Sequence, residues 1–493
     1  MFKRLTALGL SLFLCTFLSA ASVPTVTFEN DTFLSASTYV APVRKTEPTA
    51  SAFLSGTGIE ADPYRVENAD DLLYIAQRIS EGDTNYASAY YIQTGDIDLT
   101  GTTFTPIGTA ENAFTGAYDG AHYRITLKNY TQTVSDNLFG LFLHARCADF
   151  RNMDVVMEAT LTYTGSSTFY VGSLCALYEA DAKTAGLYEI TNCSVRGSLN
   201  VSGTNAVNLG GLIGKIYTKT GVVHISDCAS SLSLSSQSQK VAYTGGLLSS
   251  VSAVGSGQCR LDRCFTSGNF VANCTANTAF VGGIVANFTP IDEDGNWSGW
   301  YETALHSTDH HLRACFTTAV LQANTPNAAT AKVGYICAYK ASSAVLEESY
   351  HVTNAQTSPS TGLNTYHGEE ISKKALFRAA FLTDTLGFSL DTVWHLDETG
   401  VLSLLHPCLN VRMTDSSMTV RVADHKKASL LLAFSDENGR LVSTALRQAA
   451  AYGDEEFTVA CPDAESAHVY LLADGTLAPL TQSKHTVLNA STN

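Results

Sequence analysis

Leu209-Gly210-Gly211-Leu212-Ile213-Gly214-Lys215-Ile216, followed after a polar link by His224-Ile225-Ser226-Asp227-Cys228, decides the fold. The unit has two halves: a glycine pair inside an apolar run, then an apolar residue three positions before a cysteine. The second half returns as Phe150…Met153, Ile190…Cys193, Ile225…Cys228, Leu261…Cys264, Leu312…Cys315 and Leu346…Ser349. Its anchors lie 40, 35, 36, 51 and 34 residues apart. The glycine half returns at Gly140, Gly172, Gly210-Gly211, Gly245-Gly246, Gly282-Gly283 and Gly334. A self-similar unit of about 35 residues marks a helical repeat, a propeller or a solenoid.

Composition separates these. The units are short runs of Val, Ile, Thr, Ser, Gly and Asn broken by turn residues, which reads as strand. A propeller blade needs about four strands, and these units offer two or three. Three strands joined by loops make one coil of a right-handed parallel β-helix, in which each coil buries its neighbour's face. Glycines then allow close backbone approach at the coil corners. Cys193, Cys228, Cys264 and Cys315, at one coil position, are expected to stack inside as reduced thiols.

Gly211-Leu212-Ile213-Gly214 matches the Gly-Leu-any-Gly signature of the GLUG repeat, and Gly246-Leu247-Leu248-Ser249 and Gly283-Ile284-Val285-Ala286 match it in part. The chain resembles GLUG-containing secreted or surface β-helix proteins of Gram-positive bacteria over about residues 56–405. Some of these carry the repeat beside a peptidase or adhesin domain. The resemblance implies a scaffold and no chemistry of its own.

Residues 1–21 read as a secretory signal: Lys3 and Arg4, an apolar run over 5–18, then Ser19-Ala20-Ala21. An uncleaved anchor is the alternative. Cys15 follows Leu14, which argues against a lipoprotein site. Residues 22–55 are a linker. Residues 56–408 are expected to form the β-helix. Asn68 caps an expected helix whose Leu72, Leu73, Ile75, Ala76 and Ile79 share a face, covering the solenoid's first coil. Asp96 and Asp98 alternate with apolar residues, so they share an outer scaffold face and are not an acid–base pair. Residues 369–381 read as a helix, and Trp394 as buried packing near the solenoid's last edge. From 409 to 493 the glycine pairs stop. Alternating runs at 418–422, 429–434, 441–445, 456–460 and 468–472, with an Asp436-Glu437-Asn438-Gly439 turn, suggest a small accessory β-sandwich.

The fold class is thus all-β. The formal net charge of −16 argues against nucleic acid and anionic membrane as partners. No sortase-type motif and no terminal apolar span appear, so the expectation is a secreted protein, extracellular or associated with the cell wall, with no membrane span after leader cleavage. Eleven cysteines outlast the leader. Cys259 and Cys264 are the expected bridge if one forms. Close Cys-x-x-Cys pairs are absent, so no metal or cofactor is expected.

No nucleophile–base signature and no catalytic residue is found. The best candidate for contact is a stretch of about 14 residues inserted in one coil, where solenoids place binding loops. Asp292, Asp294 and Asn296 offer oxygen ligands, and Trp297, Trp300 and Tyr301 could stack on a sugar ring or fold back over the coil. Asp309, His310 and His311 follow in the same insertion. Two classes remain. One is a non-catalytic adhesion or binding protein for glycans or for host or neighbouring-cell proteins. The other is a β-helix polysaccharide lyase or glycoside hydrolase.

Overall fold

Between Leu187 and Thr218 the chain makes one full coil from four strands: Leu187–Thr191, Ser194–Gly203, Val207–Gly210 and Ile213–Thr218. The structure, a computed structural model, describes residues 54–180, 186–253, 256–290, 310–327, 330–340, 344–352, 367–390, 392–413, 416–461, 464–476, 478–480 and 483–487. The expected leader and nearly all of the linker lie outside the described residues. Successive coils stack in parallel register into four sheets, of nine, ten, six and six strands. The architecture is a parallel β-helix.

Four strands per coil, where three are expected, follow from the glycine pair. It makes a corner without a loop. A Cβ on Gly210 would stand 1.9 Å from the Ile213 carbonyl oxygen, and one on Gly211 would stand 2.0 Å from that of Gly246 in the next coil. The chain therefore bends between two short strands, while Leu212, Leu247, Ile284 and Ile336 point inward at zero exposure.

The opposite corner uses left-handed backbone just before each anchor. Asn152, Asn192, Asp227, Arg263, Ala314 and Glu348 all have φ between 46° and 55°. Asn and Asp tolerate this region best. Each anchor then turns inward. The Cys228 thiol donates to the Ile190 carbonyl at 3.4 Å, Cys264 to Ile225 at 3.8 Å and Cys315 to Leu261 at 3.7 Å, each in the preceding coil. Ser349 continues the ladder to Leu312 at 3.1 Å. Burial pushes the Cys228, Cys264 and Cys315 thiols well up.

No bridge joins Cys259 to Cys264; both are buried thiols. Cys259 lies in the extended strand Gln258–Asp262. At ~3.3 Å per residue the run to Asp262 alone spans about 10 Å, beyond disulfide reach.

The helix Ala69–Ser80 forms as expected. The Asn68 side chain accepts from the Asp70 and Asp71 amides, satisfying orphan donors at the helix start. Leu72, Ile75, Ala76 and Ile79 join the solenoid core, which also holds Val66 and Tyr91, while Leu73 stays partly exposed. Among the described residues no helix is long and apolar enough to cross a membrane.

Residues 369–381 are not one helix. Glu369–Glu370 extends a sheet beside Tyr350–His351, so a helix can start only after it. Ser372 caps a single turn, Lys373–Leu376, and a π-helical turn follows at Phe381–Thr385. This closing segment packs on the outer flank of the ten-stranded sheet. One outward register row there reads Arg124, Asp154, Ser194, Ala229, Phe265, Phe316, Tyr350. Its aromatic half is covered by Leu376, Leu382, Phe388 and the buried Trp394. Trp394 Nε1 donates to Asp227 Oδ1 at 3.0 Å.

The charged half of that row meets the C-terminal β-sandwich. Cys408–Met413, Ser417–Ala423 and Asp454–Ala460 form one antiparallel sheet; Leu441–Ala449, Ala428–Ser435, Ser466–Ala473 and Lys484–Val487 form the other. Met418, Val420, Leu430, Leu432, Phe434 and Val469 fill the space between them. Asp436 Oδ1 accepts from the Asn438 and Arg440 amides and holds the hairpin turn. Solenoid and sandwich belong to one compact unit, Ala50–Asn493.

Candidate functional site

The strands Asp154–Tyr163, Ser194–Gly203, Ala229–Ser238, Phe265–Cys274 and Val320–Asn324 stack in register. Alternation sends Leu199, Val201, Leu232, Leu234, Phe270, Ala272 and Leu321 inward, all buried. Their neighbours point out. One outward row is Thr160, Asn200, Ser235, Val271, Gln322. The next is Thr162, Ser202, Gln237, Asn273, Asn324. Beyond Glu158 and its partner Lys128, these rows hold hydroxyls, amides and one valine, and no charge.

Coil stacking sets a spacing of ~4.8 Å across the strands and alternation sets ~6.6 Å along them. Neighbouring groups brace each other. Ser202 Oγ donates to Thr162 Oγ1 at 3.1 Å, and Asn324 Nδ2 to Asn273 Oδ1 at 2.8 Å. At the strand ends the rows open into a shallow groove of about 510 Å³, whose lining includes Thr164, Thr204, Gln239 and Lys240. Each amide and hydroxyl keeps lone pairs or donors that face solvent. The rows themselves are fixed, polar and uncharged, and Lys240 is the one charged side chain in the lining of their groove.

A second cluster has the residue types of a catalytic site. His406 Nε2 lies 2.8 Å from Ser194 Oγ, and Ser194 Oγ lies 3.2 Å from Asp154 Oδ1. Asp154 is buried, and Arg124 Nε and Arg196 Nη2 donate to it at 3.0 and 2.7 Å. Burial opposes its ionisation, but His406, Arg196 and Arg124 hold it down at about 2. Burial also lowers His406, to about 3, so its ring is neutral. The neutral ring donates Nε2–H to Ser194, and Ser194 donates to the carboxylate. The serine proton therefore points to the carboxylate and away from the imidazole that would take it in a triad. His406 Nδ1 has no hydrogen-bond partner among the described residues, so no acid orients the ring as a triad requires. The cluster is a clasp between solenoid and sandwich.

Asp96 belongs to the same interface, accepting from Arg421 at 2.6 and 2.8 Å. Asp98 accepts from the Thr100 amide on the surface. Both point outward, as the alternation implies, and they do not form an acid–base pair.

Asp292, Asp294, Asn296, Trp297, Trp300 and Tyr301 lie outside the described residues. His310 and His311, expected in the same inserted loop, instead open the strand His310–Arg313. His311 Nε2 is 3.6 Å from Asp262 Oδ2, which His224 Nε2 reaches at 2.9 Å. Among the described residues no three His, Cys, Asp or Glu side chains converge as a metal site would need.

Reading for catalytic types passes over the hydroxyl and amide rows. Their signal is nevertheless present in Thr160-Leu161-Thr162, Asn200-Val201-Ser202 and Ser235-Ser236-Gln237, polar residues alternating with inward ones at equivalent positions of successive coils.

No family model matches the chain, and no curated protein does. Among solved structures, a Bacteroides ovatus protein described as a "putative immunoglobulin A1 protease" is similar at 20% identity. The match covers 72% of this chain and 95% of that one, with a TM-score of 0.53. A second structure, described as IgA1 Protease, is similar at 14% identity over 58% of this chain and 21% of that one, with a TM-score of 0.31. At these identities the likeness to the Bacteroides ovatus protein is one of fold alone, that of the β-helix.

Proposed function

We propose that this chain is an exported, non-catalytic β-helix protein that adheres to glycan through the open half of its ten-stranded sheet. The observation that carries this reading is the in-register hydroxyl and amide rows from Thr160 and Thr162 to Gln322 and Asn324, free of ionisable side chains. Sugar hydroxyls exchange hydrogen bonds with such groups, and no charge need be desolvated on contact. Glycoside hydrolysis needs two flanking carboxylates, and the rows and their groove offer none. Residues 292–301 remain a second contact element on sequence grounds.

The test is a glycan array probed with the full chain, followed by a reducing-sugar assay on every glycan that binds. Binding without release of reducing ends is expected. Replacing Asn200, Gln237 and Asn273 together by Ala should weaken binding and leave the melting temperature within a degree or two. Release of reducing ends would replace this reading with that of a carbohydrate-active enzyme. Incubation with immunoglobulin A1 tests the activity in the Bacteroides ovatus protein's description; no cleavage is expected here.

A further inference from the structure

The covered half of the ten-stranded sheet is not sealed. Between it and the closing segment lies a cleft of about 370 Å³. The strand Ala229–Ser238 runs from this cleft onto the open face, so Ser231 in the cleft continues as Ser233, Ser235 and Gln237 outside it. Cleft and face are one surface.

The cleft has its own chemistry. Arg196 and Lys373 line it and no carboxylate does, in a chain of net charge −16. Arg196 spends one N–H on Asp154 at 2.7 Å, and a guanidinium has five. Lys373 is exposed, and its side chain makes no hydrogen bond or ion pair among the described residues. Ser231 and Ser267 add hydroxyls, and Val401, half exposed, adds an apolar surface. A sugar ring presents a C–H face, hydroxyl edges and, when acidic, one carboxylate. Such a site, mostly apolar with a few placed polar groups, matches that set.

We propose that the cleft seats an acidic sugar, its carboxylate against Lys373 and Arg196, with the rest of the glycan laid along the open face. This rests on the glycan-binding reading above and names its ligand class. A hexuronate and a nine-carbon sialic acid share the recognised carboxylate.

The experiment prints glycans in matched sets: each neutral chain, the same chain ended in glucuronate or in sialic acid, and the methyl ester of each acid. The full chain and Lys373→Glu are measured on all of them. Lys373 is solvent-exposed, and an unchanged melting temperature checks the variant's fold. In the native chain at least one acid should bind about tenfold tighter than its ester, the size of one charge-assisted hydrogen bond. Which acid gains identifies the source. Lys373→Glu should abolish the gain, leaving each acid no tighter than its ester. Equal binding of acid and ester overturns this inference while the glycan reading stands. Failure to bind any glycan overturns both.

Discussion

Arg421, on the sandwich, grips Asp96, on the first coils, through Nε at 2.6 Å and Nη2 at 2.8 Å. The arginine side chain is only 5% exposed. It also reaches Asp454, which Arg124 of the solenoid holds as well. The pair thus sits in a small network of alternating charge that joins two architectures 325 residues apart in sequence.

Breaking such a pair leaves a carboxylate without its partner in a partly dry site. Arg421→Ala should cost about 3–5 kcal/mol in chemical denaturation. Adding Asp96→Ala should recover part of the loss. A cost below about 1 kcal/mol would mean that the ion pair is solvated in solution.

Acid should weaken the clasp in two windows. An unfolded histidine takes its proton near pH 6.5, whereas His406 resists until about 3. Its folded value is depressed, so its contribution is present above pH 6.5 and lost as pH falls toward 3. The slope is at most about 1.4 kcal/mol per pH unit. Asp154, held at about 2, loses its contribution only below about pH 4, the ordinary carboxylate range. His122, His351, His367 and His425 are also lowered by burial and act in the same sense. The informative measurement is therefore a difference. Between pH 6.5 and 4, His406→Gln should lose stability less steeply than the native chain, and parallel curves would show that His406 is hydrated.

The thiol ladder predicts a sharp contrast at one position. Ser349 already occupies the ladder's last rung, so Cys228→Ser should fold with a cost of about 1–2 kcal/mol. Cys228→Asp buries a charge without a partner and should destabilise far more. A thiol titration should find no reactive group among Cys193, Cys228, Cys264 and Cys315 in the native protein and all four after denaturation without reductant. One thiol or none in the denatured sample would contradict the ladder.

Gly211→Ala places a methyl 2.0 Å from the Gly246 carbonyl oxygen. That atom is backbone of the next coil and cannot step aside. The substitution should cost about 3 kcal/mol or more, read as a shift in denaturation midpoint. An unchanged midpoint would mean that the corner is looser than its geometry.

The sequence exposed the solenoid because its constraints are local and repeat. A glycine that must clear a neighbouring carbonyl recurs once per coil, as does a cysteine that must fit inside. Helix Ala69–Ser80 was legible through Asn68 and a periodic apolar face. The fourth strand was hidden because Gly211-Leu212 looks like mid-strand until the corner is built. The fate of residues 369–381 was hidden for another reason: Phe265 and Phe316 face outward and need a cover, which only stacking shows. The clasp was illegible because Ser194 and His406 stand 212 positions apart. The polar face was written in plain alternation, yet serine, threonine and asparagine are so common on β surfaces that only register turns them into rows.

A stack of like coils can ordinarily gain or lose a member by duplication or deletion, since each touches only its neighbours. Here two tethers set the count. The sandwich and the residues leading into it are fastened to Asp96, Arg124 and Ser194. The closing segment leaves the last coil and reaches back until Trp394 meets Asp227. One extra coil between Asp227 and His351 would carry the anchor of that segment about 4.8 Å farther away, and the indole would miss its acceptor. The open face of the ten-stranded sheet is therefore of metered length: Glu369–Glu370 moves with the last coil, so a variant with a duplicated coil would have to lengthen the chain between Glu370 and Trp394 by a matching amount to close.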